Sequence, residues 1–138
     1  VENGDIVKLY PGKPHVYDKA PSGRLYLDGN ISVAEDAQSI KDRKNLSANG
    51  YIEATILIAK NGSIHQRPLL TFRGIPVDDT EEFVYGLEDE IEEITRTFKL
   101  GSKKQEHNLI DALKIACRKF SKEKTGKKPF TNINLVKI

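Results

Sequence analysis

From Tyr51 the apolar and polar positions alternate: Ile52, Ala54, Ile56 and Ile58 are interleaved with Glu53, Thr55 and Leu57. A period of two sends one set to each face of a strand, so this segment is predicted to be a β-strand with one buried face. Asn61-Gly62 follows, and because both residue types tolerate positive φ, a two-residue type I′ hairpin turn is expected. The returning strand is expected over residues 64–72. Pro68 lies inside it and has no N–H to donate, so this strand should be an edge or carry a bulge. The period then changes. Val84, Leu87, Ile91, Ile94 and Phe98 recur at steps of three and four, behind a cap at Asp78-Asp79-Thr80 and ahead of Gly101-Ser102. That spacing predicts an amphipathic helix. A second helix is expected over about 104–123, with Leu109, Leu113, Ala116 and Phe120 as its stripe and Ile110 and Cys117 beside it. Gly126 stops it and Pro129 prevents resumption. Residues 130–138 read as a last strand. The order β-β-α-α-β predicts an α+β fold, a small three-stranded sheet with two helices on one face.

The pattern is weaker before Tyr51. Ile6, Val7, Leu9 and Tyr10, then Val16-Tyr17, then Leu25-Tyr26-Leu27 are separated by Pro11-Gly12-Lys13-Pro14 and by Pro21-Ser22-Gly23. They predict three short strands, a thin sheet with little core of its own. From Asp28 to Gly50 no period is visible, and this stretch is expected to be a linker or a functional loop. The chain therefore divides into short strands over 1–30, a linker over 31–50 and the α+β domain over 51–138.

Length and composition narrow the field. With 138 residues, 38% of them hydrophobic, the chain can bury a core without disulfides or metal. Its 22 Lys+Arg against 20 Asp+Glu give a net charge of +2, which excludes a basic field over the whole molecule. One cysteine excludes an internal disulfide framework. No apolar run approaches the ~18 residues of a membrane span, so no membrane partner is expected. The first residues do not resemble a signal peptide. A lone thiol then favours a reducing, cytoplasmic location. The chain opens on Val1 and contains no Met, from which a segment of a longer protein is expected.

Candidate chemistry is sparse. His15, His65 and His107 lie in three separate segments, none with a metal-ligand partner at helical or strand spacing; each reads as a surface histidine. Cys117 falls on an apolar stripe and reads as an inert core thiol. No phosphate-binding glycine loop or nucleophile elbow is present. No catalytic, cofactor-binding or metal-binding residue is therefore assigned. The charges are more informative. Residues 78–93 contain nine acids and no base, whereas residues 114–128 contain seven bases and the single acid Glu123. Lys114, Arg118, Lys119, Lys122, Lys124, Lys127 and Lys128 are thus candidate contacts to RNA or to a protein partner. Phe120 is the only aromatic residue among the bases, and it belongs to the apolar stripe, so base stacking is not supported. A solvated face, or steering between the two helices or two chains, is favoured over nucleic-acid binding.

Several segments together resemble the C-terminal portion of ribonuclease J, a family of metallo-β-lactamase/β-CASP ribonucleases. Asn3-Gly4-Asp5-Ile6-Val7 resembles a strand near the end of the family's β-lactamase domain, and Pro21-Ser22-Gly23-Arg24-Leu25-Tyr26-Leu27-Asp28-Gly29 resembles the segment that follows. Asp42-Arg43, Leu46-Ser47 and Gly50 resemble the end of an Arg-Asp-Arg stretch. Arg73-Gly74 resembles a Ser-Arg-Gly element, and Glu123-Lys124-Thr125 with Lys127-Lys128-Pro129 resembles the signature before the last strand. The chain departs from the family at Val33-Ala34-Glu35-Asp36-Ala37, at Ile75-Pro76-Val77, and in a last strand made more polar by Thr131, Asn132 and Asn134. The resemblance implies that zinc sits in a β-lactamase domain, bound by later histidines and a His-x-His-x-Asp-His motif that this chain lacks, and that the RNA 5′ end is gripped between that domain and a β-CASP domain. It further implies that RNA is met through the parent enzyme, and that this portion takes part in assembly into dimers or tetramers.

Overall fold

The first apolar runs do form strands, but as two separate hairpins rather than one sheet. In the computed structural model, which describes all 138 residues, β1 (Asp5–Lys8) pairs antiparallel with β2 (His15–Lys19), and β3 (Leu25–Asp28) with β4 (Ile31–Ala34). The second hairpin turns through Asp28, Gly29 and Asn30, with Gly29 at φ 62°, so its return arm lies where no pattern was visible. Helix α1 (Gln38–Asn49) follows. The irregular stretch expected over residues 31–50 is therefore a strand and a helix. The reason it was hidden is plain: among the twelve residues of α1 only Ile40 is buried, so no apolar stripe marks it. The chain divides into two compact units, Val1–Arg43 and Lys44–Ile138, the division falling within α1.

The second unit is built on β5 (Tyr51–Ile58), whose residues alternate between buried and partly exposed as the sequence pattern requires. It is the central strand of a three-stranded sheet. On one side it pairs antiparallel with β6 (Leu69–Arg73). On the other it pairs in parallel with β7 (Phe130–Lys137), in a register from Tyr51↔Phe130 to Ile58↔Lys137. Helices α2 (Thr80–Arg96) and α3 (Lys103–Thr125) connect β6 to β7. Their side chains Phe83, Leu87, Ile91, Leu109, Leu113 and Cys117 form one core with Ile52, Ala54, Ile56 and Ile58. Both helices thus cover the same face of the sheet, which is the α+β arrangement the sequence predicts.

Two local details depart from expectation. The hairpin at Asn61-Gly62 is not type I′, because no non-glycine residue has positive φ. Instead Ala59 O accepts from Gly62 N, Ala59 N donates to Ser63 O, and Gly62 alone takes φ 84°. This is the three-residue loop with a left-handed glycine, the next preferred hairpin connection. Asn61 Oδ1 accepts from both the backbone N and the Oγ of Ser63, which holds the loop. Beyond it Ile58 faces Ile64 and Thr55 faces Leu69, so two residues of β5 oppose four of the returning chain. The returning strand is therefore shorter than expected: Pro68 lies in the unpaired stretch between the Ile64 bridge and β6, where no N–H is required of it, and β6 itself is an edge strand.

The helices are fixed by identifiable groups. Asp79 caps α2 by accepting from Glu82 N, and Ser102 caps α3 by accepting from Gln105 N. Gly126, at φ 80°, ends α3. On α2 the buried member of the first turn is Phe83 rather than Val84, and its ring lies edge-on to Phe72 of β6 and to Phe120 of α3, each at 5.4 Å. Gly86 lets α3 approach, since a Cβ there would come within 2.8 Å of the Phe120 ring.

Candidate functional site

The family-like residues of the second unit converge on one corner. Helix α1 ends at Gly50, whose positive φ of 79° and N–H bond to Leu46 O close its last turn. β6 ends at Gly74, φ 68°, directly against that turn. A Cβ on Gly74 would lie 2.7 Å from Leu46 O, and one on Gly50 would lie 2.6 Å from Ile75 Cγ1, so these backbones meet only as glycines. Lys127, just past α3, completes the corner. Its Nζ donates to Ser47 O at 2.8 Å and to Gly74 O at 2.9 Å. Ser47 O belongs to the last turn of α1, where carbonyls lack helical partners and a cation is favoured. Phe130 N donates to Gly50 O, starting β7 from the same point, and Pro129 is fully buried. Leu46, Ser47, Gly50, Gly74, Lys127 and Pro129 therefore form a structural clasp among three chain segments.

The seven candidate bases consequently divide. Lys127 is committed to two carbonyls. Lys124 Nζ lies 5.9 Å from the Phe120 ring. Lys114, Arg118, Lys119, Lys122 and Lys128 make no side-chain hydrogen bond or ion pair, and all but Lys114 are exposed. The acids of α2 divide too. Glu88 is buried and accepts from Arg67 Nη1 at 2.7 Å, while Asp89 lies 3.8 Å from the same guanidinium. Glu88 is the main reason the Arg67 pKa is raised further. Arg67 also lies over the Tyr85 ring, at 5.4 Å. No acid of α2 forms an ion pair with a base of α3, so steering between the two helices leaves no contact in the fold. Neither Arg67 nor the Lys127 clasp is marked by a periodic pattern in the sequence. Each joins elements far apart in the chain, and only the clustering of Lys127 with Gly126 and Pro129 gave any local hint.

The first unit carries the remaining family-like residues. Arg43 of α1 forms an ion pair with Asp28 at the β3–β4 turn. Lys8 Nζ of β1 sits 3.6 Å over the Tyr17 ring of β2, and Tyr10, just beyond β1, stacks on His15 of β2, every residue of which is exposed.

Nucleophilic and metal chemistry find little purchase. Cys117 is fully buried, and burial, then the charge of Glu90, pushes its thiol up to about 12, leaving it neutral at ordinary pH. No group of three or more His, Cys, Asp and Glu side chains is arranged to hold a metal ion, so the residues of this chain do not fit the metal centre that the resemblance implies for the parent enzyme. No helix is long and apolar enough to cross a membrane.

A three-stranded mixed sheet backed by two helices, with a clasp at one corner, defines a small α+β domain. The family model of the ribonuclease J C-terminal domain matches residues 38–137, beginning at the first residue of α1, and the chain belongs to that family. Among its relatives is ribonuclease J of Sinorhizobium meliloti, 26% identical over 140 residues that cover all of this chain and 25% of that protein. Another is ribonuclease J of Corynebacterium glutamicum, 25% identical over 130 residues covering 93% of this chain and 18% of the relative. The chain thus spans a quarter or less of the length of these relatives.

Proposed function

We propose that this chain serves as the non-catalytic C-terminal module of a ribonuclease J-like enzyme, a zinc-dependent cytoplasmic nuclease that degrades and processes RNA from its 5′ end or internally. Its task is subunit assembly into a dimer or tetramer and support of the β-lactamase and β-CASP domains. The observation that carries this reading is the clasp. The residues that give the second unit its family resemblance offer backbone groups and one lysine engaged by carbonyls, which is framework chemistry rather than reactive chemistry. Assembly is supported by the sheet, in which β6 and β7 are both edges and the far face exposes Phe130 and Leu69. Two measurements test the proposal. The purified chain with zinc or manganese should leave 5′-monophosphorylated RNA intact, and light scattering over a concentration series should show dimers or tetramers. Metal-dependent cleavage by this polypeptide, or a monomer at every concentration, would contradict the corresponding half.

A second reading, an RNA-binding module, is favoured by the exposed unpaired bases of α3. Binding would then weaken steeply with salt, by about 0.7 ions per phosphate contacted on a single strand. Lys119→Glu with Lys122→Glu should abolish it. Lys127 is left unaltered in this test because it holds the clasp.

A further inference from the structure

We infer that the outer surface of the α2–α3 layer is a self-complementary contact between two copies of this chain, the acidic stripe of α2 in one meeting the basic stripe of α3 in the other. The inference rests on the assembly reading and adds to the sheet edges and far face a second contact surface, on the helical side of the domain.

Three observations carry it. First, each helix presents one exposed stripe. On α2 it includes Glu81, Glu82, Tyr85 and Asp89; on α3 it includes Ile115, Arg118, Lys119 and Lys122. Their spacing by three and four keeps each set on one helix face. Second, the opposite charges lie at the same end of the layer. Phe83 and Gly86 near the start of α2 touch Phe120 near the end of α3, so the N-terminal half of α2 runs beside the C-terminal half of α3. Third, the charges are unsatisfied within the chain. Glu81, Glu82, Arg118, Lys119 and Lys122 form no ion pair, although acid and base stripes lie side by side.

Symmetry turns this arrangement into a partner. A two-fold axis parallel to the helices and between them would set α2 of one copy over α3 of the other, twice. This is the reciprocal contact of an isologous dimer. The same stripes expose Tyr85 by 55% and Ile115 by 69%, apolar surface that such a contact would bury among the charges. A nucleic acid fits less well, because phosphates approaching α3 would also meet the acids of α2.

The test is a reciprocal charge reversal on the 138-residue chain, read by analytical ultracentrifugation. One variant carries Lys119→Glu and Lys122→Glu, the other Glu81→Lys and Glu82→Lys. Each alone should weaken self-association by about tenfold or more, because like charges then oppose one another at both contacts. An equimolar mixture should restore association as a heterodimer, and salt should weaken association of the unaltered chain. The neutral variant Lys119→Gln with Lys122→Gln reads the same contact if a reversal unfolds its helix. Association of the unaltered chain that neither reversal changes would overturn this surface and leave the assembly reading standing. A monomeric unaltered chain would overturn both. Loss of RNA binding in the Lys→Glu variant with association unchanged would assign the basic stripe to RNA and overturn the inference.

Discussion

The two units contain strands of similar apolar composition, yet only one of them buries those residues. In Val1–Arg43, Leu25 and Leu27 are about three-quarters exposed, every residue of β2 is exposed, and Ile40 is the one buried hydrophobic residue. In Lys44–Ile138, Ile52, Ile56, Leu87, Ile91, Leu109 and Leu113 are fully buried. The difference lies in what covers each strand. A two-stranded hairpin satisfies its backbone on one side only and has no layer to shelter its side chains, so it is marginal by itself. β5 has a strand on both sides and two helices over one face. A strand-like sequence therefore predicts a strand, whereas its contribution to stability depends on the layer above it.

Four measurements would break or sharpen that contrast, beginning with the largest effect. Leu113→Ala in α3 should cost about 2–5 kcal/mol in urea unfolding followed by helical circular dichroism. Leu27→Ala in β3 should stay within about 0.5 kcal/mol. Equal losses would show that the first unit has a core after all. Next, Gly74→Ala and Gly12→Ala place a side chain at positive φ in the two units. At Gly12 nothing lies within 4 Å of the new Cβ, whereas at Gly74 it meets Leu46 O. The first should cost about 1 kcal/mol, from backbone strain alone, and the second about 2–4 kcal/mol. Third, Lys127→Ala should lower stability by about 1–2 kcal/mol through its two carbonyl bonds, while Lys128→Ala, which breaks no contact, should change it by less than about 0.5 kcal/mol. A reversed order would remove the clasp from the framework.

The fourth effect is absent at neutral pH. The folded Cys117 thiol is pushed up to about 12 from an ordinary value of 9.0. Its raised folded pKa means that only the unfolded chain ionises as pH climbs past 9, so the stability conferred by the neutral thiol is complete below pH 9 and is lost between there and about 12. Chemical denaturation across that range should show a shallower alkaline decline for Cys117→Ala than for the unaltered chain. Parallel declines would mean that the thiol is not held neutral by its surroundings.

The sequence made the second unit legible because burial there follows a period. Ile52 through Ile58 alternate, and Leu109, Leu113 and Ala116 repeat at helical spacing, so strand, helix and core could be read from residue order alone. α1 offered no such signal, since it is held by its ends and by Arg43 rather than by a stripe. The three-residue hairpin loop lay beyond local pattern because Asn61-Gly62 permits two connections, of which the chain takes the one with Gly62 alone at positive φ. The parallel direction of β7 also lay beyond local pattern. Of the candidate bases, the sequence located the exposed stripe but could not separate Lys127 from its neighbours, because its acceptors are backbone carbonyls dozens of positions away.

The pairing of β7 with β5 has a consequence for synthesis. The β5–β6 hairpin is complete once Arg73 has emerged from the ribosome, but the partner for the other side of β5 arrives only after both helices and the clasp lysine have been translated. At ~5–20 residues per second this leaves an unpaired strand and an apolar face exposed for several seconds. Slowing translation between β6 and β7 would lengthen the exposure of that surface to aggregation.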